Sequence, residues 1–214
     1  MGKFKINPPL PGRERGQGGE GKVFFIGAGP GDPELLTLKA VRLLQEARLV
    51  LYADSLVSPS VLQFAPPDAQ VHGTASLTLE EIGRLMVQGA REGKAVARLH
   101  SGDPALYGAL LEEMRLLEEA GVEYEVVPGV SSLFAAASLL KTELTAPGLS
   151  QTVIITRALG RTPLPPGERL RDLARHGATI ALFLSASRLP QAVQELLAGG
   201  YPPETPAAAI YKAT

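Results

Sequence analysis

The stretch VFFIGAGPGDPELLTLKAVRLL, residues 23–44, decides how this chain folds. A short β-branched and aromatic run, 23–26, leads into a glycine-rich turn. Leu36, Ala40, Leu43, Leu44 and Ala47 then recur at helical spacing. Asp32 suits an N-cap and Pro33 the first helical position, so a helix is expected over 33–47. Strand, tight turn and helix in this order also describe a dinucleotide fingerprint, and Asp54 lies near the end of the next strand, where a ribose-binding acid would sit. The fingerprint needs a third glycine at position 32, however, and Asp32–Pro33 stands there. A carboxylate at that helix start competes with a pyrophosphate for the same N–H donors. An NAD-dependent oxidoreductase is therefore the weaker reading of the loop. No Gly-Lys-Ser/Thr follows, so it is not a P-loop.

Outward from this stretch the rhythm repeats. Strands are expected at 49–52, 95–99, 124–127, 152–156, 179–184 and 207–211. Helices are expected from 58, over 78–91 behind a Thr78/Glu81 capping-box spacing, and at 106–119, 131–140, 168–175 and 189–198. Strands alternating with helices imply a mostly parallel sheet covered on both faces, the α/β class. Residues 144–148 break the rhythm and place a domain boundary near 146, giving units at 22–146 and 147–214. The second unit is thin for an independent sheet. Residues 1–21, rich in glycine and proline among charges, read as a flexible tail without the apolar region of a signal peptide.

Composition narrows the function. The chain has 214 residues, 45% hydrophobic and 20% charged, with a net charge of -1. Nucleic-acid binding wants clustered Lys and Arg, which are missing. No apolar run reaches membrane-spanning length. There is no cysteine, and His72, His100 and His176 are far apart. Disulfides, a Cys nucleophile and thiolate metal ligands are excluded, and no metal site is expected. A soluble cytoplasmic protein follows. The turns after three strands, at 27–33, 100–108 and 128–132, should converge at the carboxyl edge of the sheet, where open parallel sheets bind ligands. They offer backbone groups and small side chains but no Ser-His-Asp set. Such a site suits a cofactor that carries its own reactive group.

Several stretches together carry a resemblance: YADSLV (52–57), SGDPALYGA (101–109), PGVSS (128–132), ELTAPGLSQTVIITRALGRTP (143–163) and HGATIALFLSASRL (176–189). From residue 23 to 214 the chain resembles the class III, tetrapyrrole-type S-adenosylmethionine methyltransferases. The long block 143–163 points to the branch acting on C11 of precorrin-4 or its cobalt form in cobalamin biosynthesis. Another precorrin carbon, uroporphyrinogen III or the protein-modifying diphthine synthase branch is the alternative within the fold, and a non-catalytic binding module the alternative outside it.

The resemblance implies two α/β domains with a cleft between them, S-adenosyl-L-methionine folded in that cleft, a tetrapyrrole partner, and a homodimer. Related enzymes often run further than residue 214, so the second domain is expected to be incomplete. Residues matching the family's cofactor contacts are Pro30, Ser101, Gly102, Asp103, Leu106, Ser131, Ser132, Leu184 and Ala213. Asp103 could accept a ribose hydroxyl, Ser131 and Ser132 could hold the carboxylate, and Leu106 and Leu184 could sandwich the adenine. The glycine loop, with Gly29 and Gly31, would face the acceptor. Its carboxylate arms need cations, for which Arg157 and Arg161 are the candidates, whereas Arg98 and Arg188 read as solvated surface arginines. Asp54 is the candidate acid/base residue, with strand-end capping as its other reading. His100 reads as a buried histidine; His72 and Tyr107 could touch substrate.

Overall fold

The computed structural model describes residues 21–160 and 163–213. The expected tail, 1–21, lies outside them except for Gly21, whose amide donates to the Ala90 carbonyl at 2.7 Å.

The apolar runs become the strands of a five-stranded, wholly parallel sheet: β1 (Val23–Gly27), β2 (Leu49–Tyr52), β3 (Gln70–Gly73), β4 (Val96–His100) and β5 (Tyr124–Val127), in the order β3-β2-β4-β1-β5. Alternating side chains feed two cores, because successive residues of a strand point to opposite faces. Phe24, Ile26, Val50, Ala97 and Leu99 pack with Ala40, Leu43 and Leu44 of α1 (Leu38–Glu46). Val23, Phe25, Leu49, Leu51 and Val96 pack on the other face with Ile82, Met86 and Ala90 of α2 (Leu79–Arg91) and Leu117 of α3 (Leu110–Ala120). Both faces are covered, as the βα alternation requires.

Residues 140–152 contain no helix or strand and lead from α4 (Ser132–Leu139) to a second, two-stranded parallel sheet. This pairs β6 (Val153–Arg157) with β7 (Thr179–Phe183). Between and after them lie α5 (Leu170–Leu173) and α6 (Leu189–Ala198), whose Leu170 and Ala192 pack with Ala158, Leu182 and Leu196. Ser185 ties the strand ends: its hydroxyl accepts from the Ala158 amide and donates to the Phe183 carbonyl, both at 2.7 Å.

Three local expectations are corrected, and one strand is new. The helix expected from residue 33 is a single 3-10 turn, Pro33–Leu35, and α1 starts only at Leu38. A second cap wins: Thr37 is extended and its hydroxyl accepts from the Ala40 amide at 3.1 Å. The helix expected from 106 starts at Leu110, since Tyr107 and Ala109 are left-handed, with φ of 56° and 53°. No strand forms at 207–211, which is coil. β3 is an unforeseen strand; all four of its residues are exposed at the sheet edge, so no apolar run announced it.

The ends of β1, β4 and β5 are held together by glycine on glycine. Gly29 and Gly102 exchange two backbone hydrogen bonds, at 3.2 and 2.8 Å. A Cβ on Gly27 would lie 2.5 Å from the Cα of Gly129, and one on Gly129 would lie 2.2 Å from the Gly102 carbonyl oxygen. Neither gap admits a methyl group, so the three turns must separate to accept one. Gly27→Ala and Gly129→Ala are each expected to lower stability by about 2 kcal/mol or more. Urea denaturation checks this, and a loss under about 0.5 kcal/mol would mean that the turns part freely.

Candidate functional site

The three glycine-joined turns bring together most of the residues expected to touch the cofactor. Pro30, half-buried, follows Gly29, whose backbone pairs with Gly102. A Cβ on Gly102 would meet Ser131 Cα at 3.5 Å and Ser132 N at 3.7 Å. Ser131 is buried and caps α4, accepting from the Leu133 amide at 3.3 Å. Gly29, Gly31, Pro30, Ser101–Asp103 and Ser131–Ser132 thus form one cluster at the carboxyl edge of the sheet, where an open parallel sheet exposes its free backbone groups.

Asp103 has a larger structural part than expected. One carboxylate oxygen accepts from the Ala105 amide at 2.9 Å, the other from the Gly129 amide at 3.0 Å. It therefore stitches the turn after β4 to the turn after β5. Each oxygen still has a second lone pair, so a further hydroxyl can be accepted.

Leu106 and Leu184 flank a contact between the two sheets. Their neighbours Tyr107 and Phe183 hold rings 5.8 Å apart, centroid to centroid. Leu184 follows β7 with φ of 53° and a side chain 68% exposed. A branched residue in the left-handed region costs about 1 kcal/mol or more, and such outliers concentrate where a ligand is gripped. Sequence reading had no signal for this strain, since Leu184 looks like an ordinary strand-end leucine. Ala213 is half-buried in the terminal coil.

Arg157 ends β6, half-buried; its Nη1 lies 3.5 Å from the Ala158 carbonyl oxygen, and a Cβ on Gly160 would meet it at 3.2 Å. Burial raises the Tyr107 phenol above its ordinary pKa, and the Arg157 charge pulls it the other way, so guanidinium and phenol share one neighbourhood. Arg161 lies outside the described residues. Asp54 is exposed beyond β2 and accepts from the Ala75 amide at 2.7 Å. Arg188 is exposed as expected and donates to the Leu159 carbonyl at 2.7 Å. His72 sits on the exposed edge strand β3.

Arg98 is the clear correction. Expected at the surface, it is 5% exposed and paired with Glu113 of α3, Nη2 to Oε1, at 2.8 Å. The pattern VARLH alternates inward and outward only if one face of the sheet meets water, and here α2 and α3 cover it. His100, buried as expected, places Nε2 3.3 Å from Glu113 Oε2. Burial pushes the Glu113 carboxyl up, but the His100 ring and the Arg98 guanidinium outweigh it and hold the carboxyl below its ordinary value.

The dinucleotide reading fails on this geometry. Asp32 accepts from the Glu34 amide at 2.8 Å, filling the start of the 3-10 turn with its own carboxylate, and the first α-helix opens only at Leu38. The chain that follows the glycine loop therefore offers no α-helix N-terminus to a pyrophosphate lying along it.

Comparison with known proteins agrees. The family described as Tetrapyrrole (Corrin/Porphyrin) Methylases matches residues 22–214. A cobalt-precorrin-4 C(11)-methyltransferase of Priestia megaterium is 53% identical over 193 residues, 90% of this chain and 75% of that one. An X-ray structure of a cobalt-precorrin-4 methyltransferase of cobalamin biosynthesis superposes with a TM-score of 0.81, at 53% identity, covering 84% of this chain and 75% of that one. The uroporphyrin-III C-methyltransferase of Thermus thermophilus, solved with S-adenosylhomocysteine, gives a TM-score of 0.71 at 40% identity, covering 86% and 74%. The chain belongs to the tetrapyrrole methylase family.

A carboxylate whose pKa is depressed on folding stabilises the native state above its unfolded pKa, and that stability is lost as pH falls through the folded value. Wild-type protein should therefore lose stability below about pH 5, and Glu113→Gln should show a shallower loss there. Thermal melts between pH 3 and 6 measure both slopes; parallel slopes would remove Glu113 from the titration.

Proposed function

We propose that this chain is an S-adenosylmethionine-dependent C-methyltransferase that methylates C11 of precorrin-4, with or without cobalt, giving precorrin-5 in cobalamin biosynthesis. The observation that carries the reading is the high identity to a precorrin-4 C11 enzyme over nine-tenths of the chain. The lower identity to the uroporphyrin-III enzyme favours C11 over that acceptor.

The residues present suit the donor. The glycine cluster brings small residues from three turns together, and Asp103 keeps a lone pair on each oxygen for a ribose hydroxyl. The first amides of α4, behind Ser131 and Ser132, can receive a carboxylate. Leu106 and Leu184 offer apolar surface beside the Tyr107–Phe183 contact. When bound, S-adenosylmethionine supplies a methyl group already activated on sulfonium. The chain's task is then to align acceptor carbon and methyl and to keep bulk water away, which gathers the entropy of a bimolecular step in advance. Pro30, with Ser101 and Gly102, lies on the donor side of this arrangement, and Gly29 and Gly31 face the acceptor. Ala213 completes the donor set.

The acceptor's carboxylate arms call for arginine. We assign them to Arg157 and Arg161. Arg157 is supported by its position at the end of β6 beside the Tyr107 turn. Asp54 is the residue we assign to proton removal after methylation; its second oxygen is left over from the bond to Ala75. We read residues 22–146 and 147–214 as two domains with the site between them. The exposed Phe134, Leu139 and Leu140 at α4 support a homodimer. We place the protein in the cytoplasm as part of the same reading; none of the described helices is long and apolar enough to cross a membrane.

Titration calorimetry should show S-adenosylhomocysteine binding and no NAD binding, with Asp103→Ala weakening it about tenfold or more. Unchanged affinity in Asp103→Ala would restrict that residue to stitching the turns. Arg157→Ala should raise the acceptor KM about tenfold while leaving the donor KM unchanged, as expected for loss of one charged contact. Steady-state kinetics with mass and NMR identification of the product checks this. An unaltered acceptor KM would take Arg157 out of the site, and a methyl group on another carbon would move the enzyme to another branch.

A further inference from the structure

Beneath the turn that follows β4 lies a buried group of charges that methyl transfer does not itself use. Arg98, His100 and Glu113 are 5%, 4% and 1% exposed. Arg98 Nε reaches both Glu113 oxygens at 3.1 Å, and its Nη1 donates to Thr74 Oγ1 at 3.2 Å. Thr74 in turn donates to the Tyr52 carbonyl at 3.1 Å. His100 Nε2 stands 3.3 Å from Glu113 Oε2. Burying such a set costs desolvation, and well-packed apolar residues often serve stability as well or better. Stability alone is thus a weak account of it.

Its position offers a better one. His100 is the last residue of β4, next to Ser101 where the turn begins. Glu113 stands in the first helical turn of α3, where the chain leaves it. That helix has no side-chain cap: Ala109 occupies the cap position in a left-handed conformation, as does Tyr107 two residues earlier. Neither conformation supports itself in a non-glycine residue. The far end of the turn also closes on this group, because a Cβ on Gly108 would lie 3.0 Å from His100 Nδ1. One carboxylate, gripped from β4, therefore holds both ends of the segment 101–109 in place.

We infer that Glu113, acting through Arg98 and His100, is a positioning residue for the donor-binding turn 101–109. The inference rests on the donor reading of that turn given above. It predicts a selective defect: the donor is bound loosely, while the acceptor and the chemical step at saturation are little altered.

The test uses the full chain with two variants, Glu113→Gln and the double variant Arg98→Met/Glu113→Met. The second leaves no unpaired buried charge and so retains the fold if the first does not. Folding is verified by circular dichroism. S-adenosylhomocysteine is the titration probe, and steady-state kinetics separates donor KM, acceptor KM and kcat. The expected result is a probe Kd and donor KM raised about tenfold in folded variants, with acceptor KM and kcat within about twofold. Donor affinity within twofold of wild type, or equal damage to donor and acceptor, would overturn the inference and leave the three residues as core packing. Failure of the wild-type chain to bind S-adenosylhomocysteine would instead strike the functional reading and take this inference with it.

Discussion

The contact on which the structure depends is main chain against main chain where β1, β4 and β5 end. Gly27, Gly29, Gly102 and Gly129 let three turns approach closer than any side chain would permit. Asp103 then adds one hydrogen bond between two of the same turns, from the Gly129 amide. Parallel strands need crossovers, and crossovers need space; here that space is found by removing Cβ atoms at the crowded end. Small residues thereby collect at one edge of the sheet, beside the first amides of α4.

This also explains why a glycine-rich turn after a first strand is a poor guide to chemistry. In a dinucleotide site the glycines clear room for pyrophosphate before a helix N-terminus. Here they clear room for neighbouring turns, and Asp32 occupies the nearest helical start. The same residue type answers a packing requirement in one fold and a ligand requirement in the other.

Much of this was legible in the sequence. The strands of the first sheet that carry apolar runs, the Thr78 capping box and the grouping of the turn residues all followed from local patterns. What escaped was set by tertiary context. β3 carries no apolar run, so only its pairing with β2 makes it a strand. The left-handed Tyr107, Ala109 and Leu184 have no compositional sign, because leucine, alanine and tyrosine adopt that conformation only where surroundings impose it. Arg98 in a four-letter apolar neighbourhood looked solvated, and its burial depends on Glu113, fifteen residues later. The family resemblance supplied the donor and acceptor; periodicity and spacing alone led only as far as a sheet-edge site with no nucleophile.

Among the described residues the second sheet has two strands, fewer than a sheet usually needs to persist alone. Its small core rests on a few aliphatic side chains. Local opening there costs less than unfolding the five-stranded sheet, so the Phe183–Leu184 corner belongs to the softer half of the molecule. A small molecule bridging that corner and the glycine turns would lend its binding energy to the weaker half by mass action. Occupancy would then act as a clasp: the two halves of the chain would share one melting transition when filled and tend toward separate ones when empty.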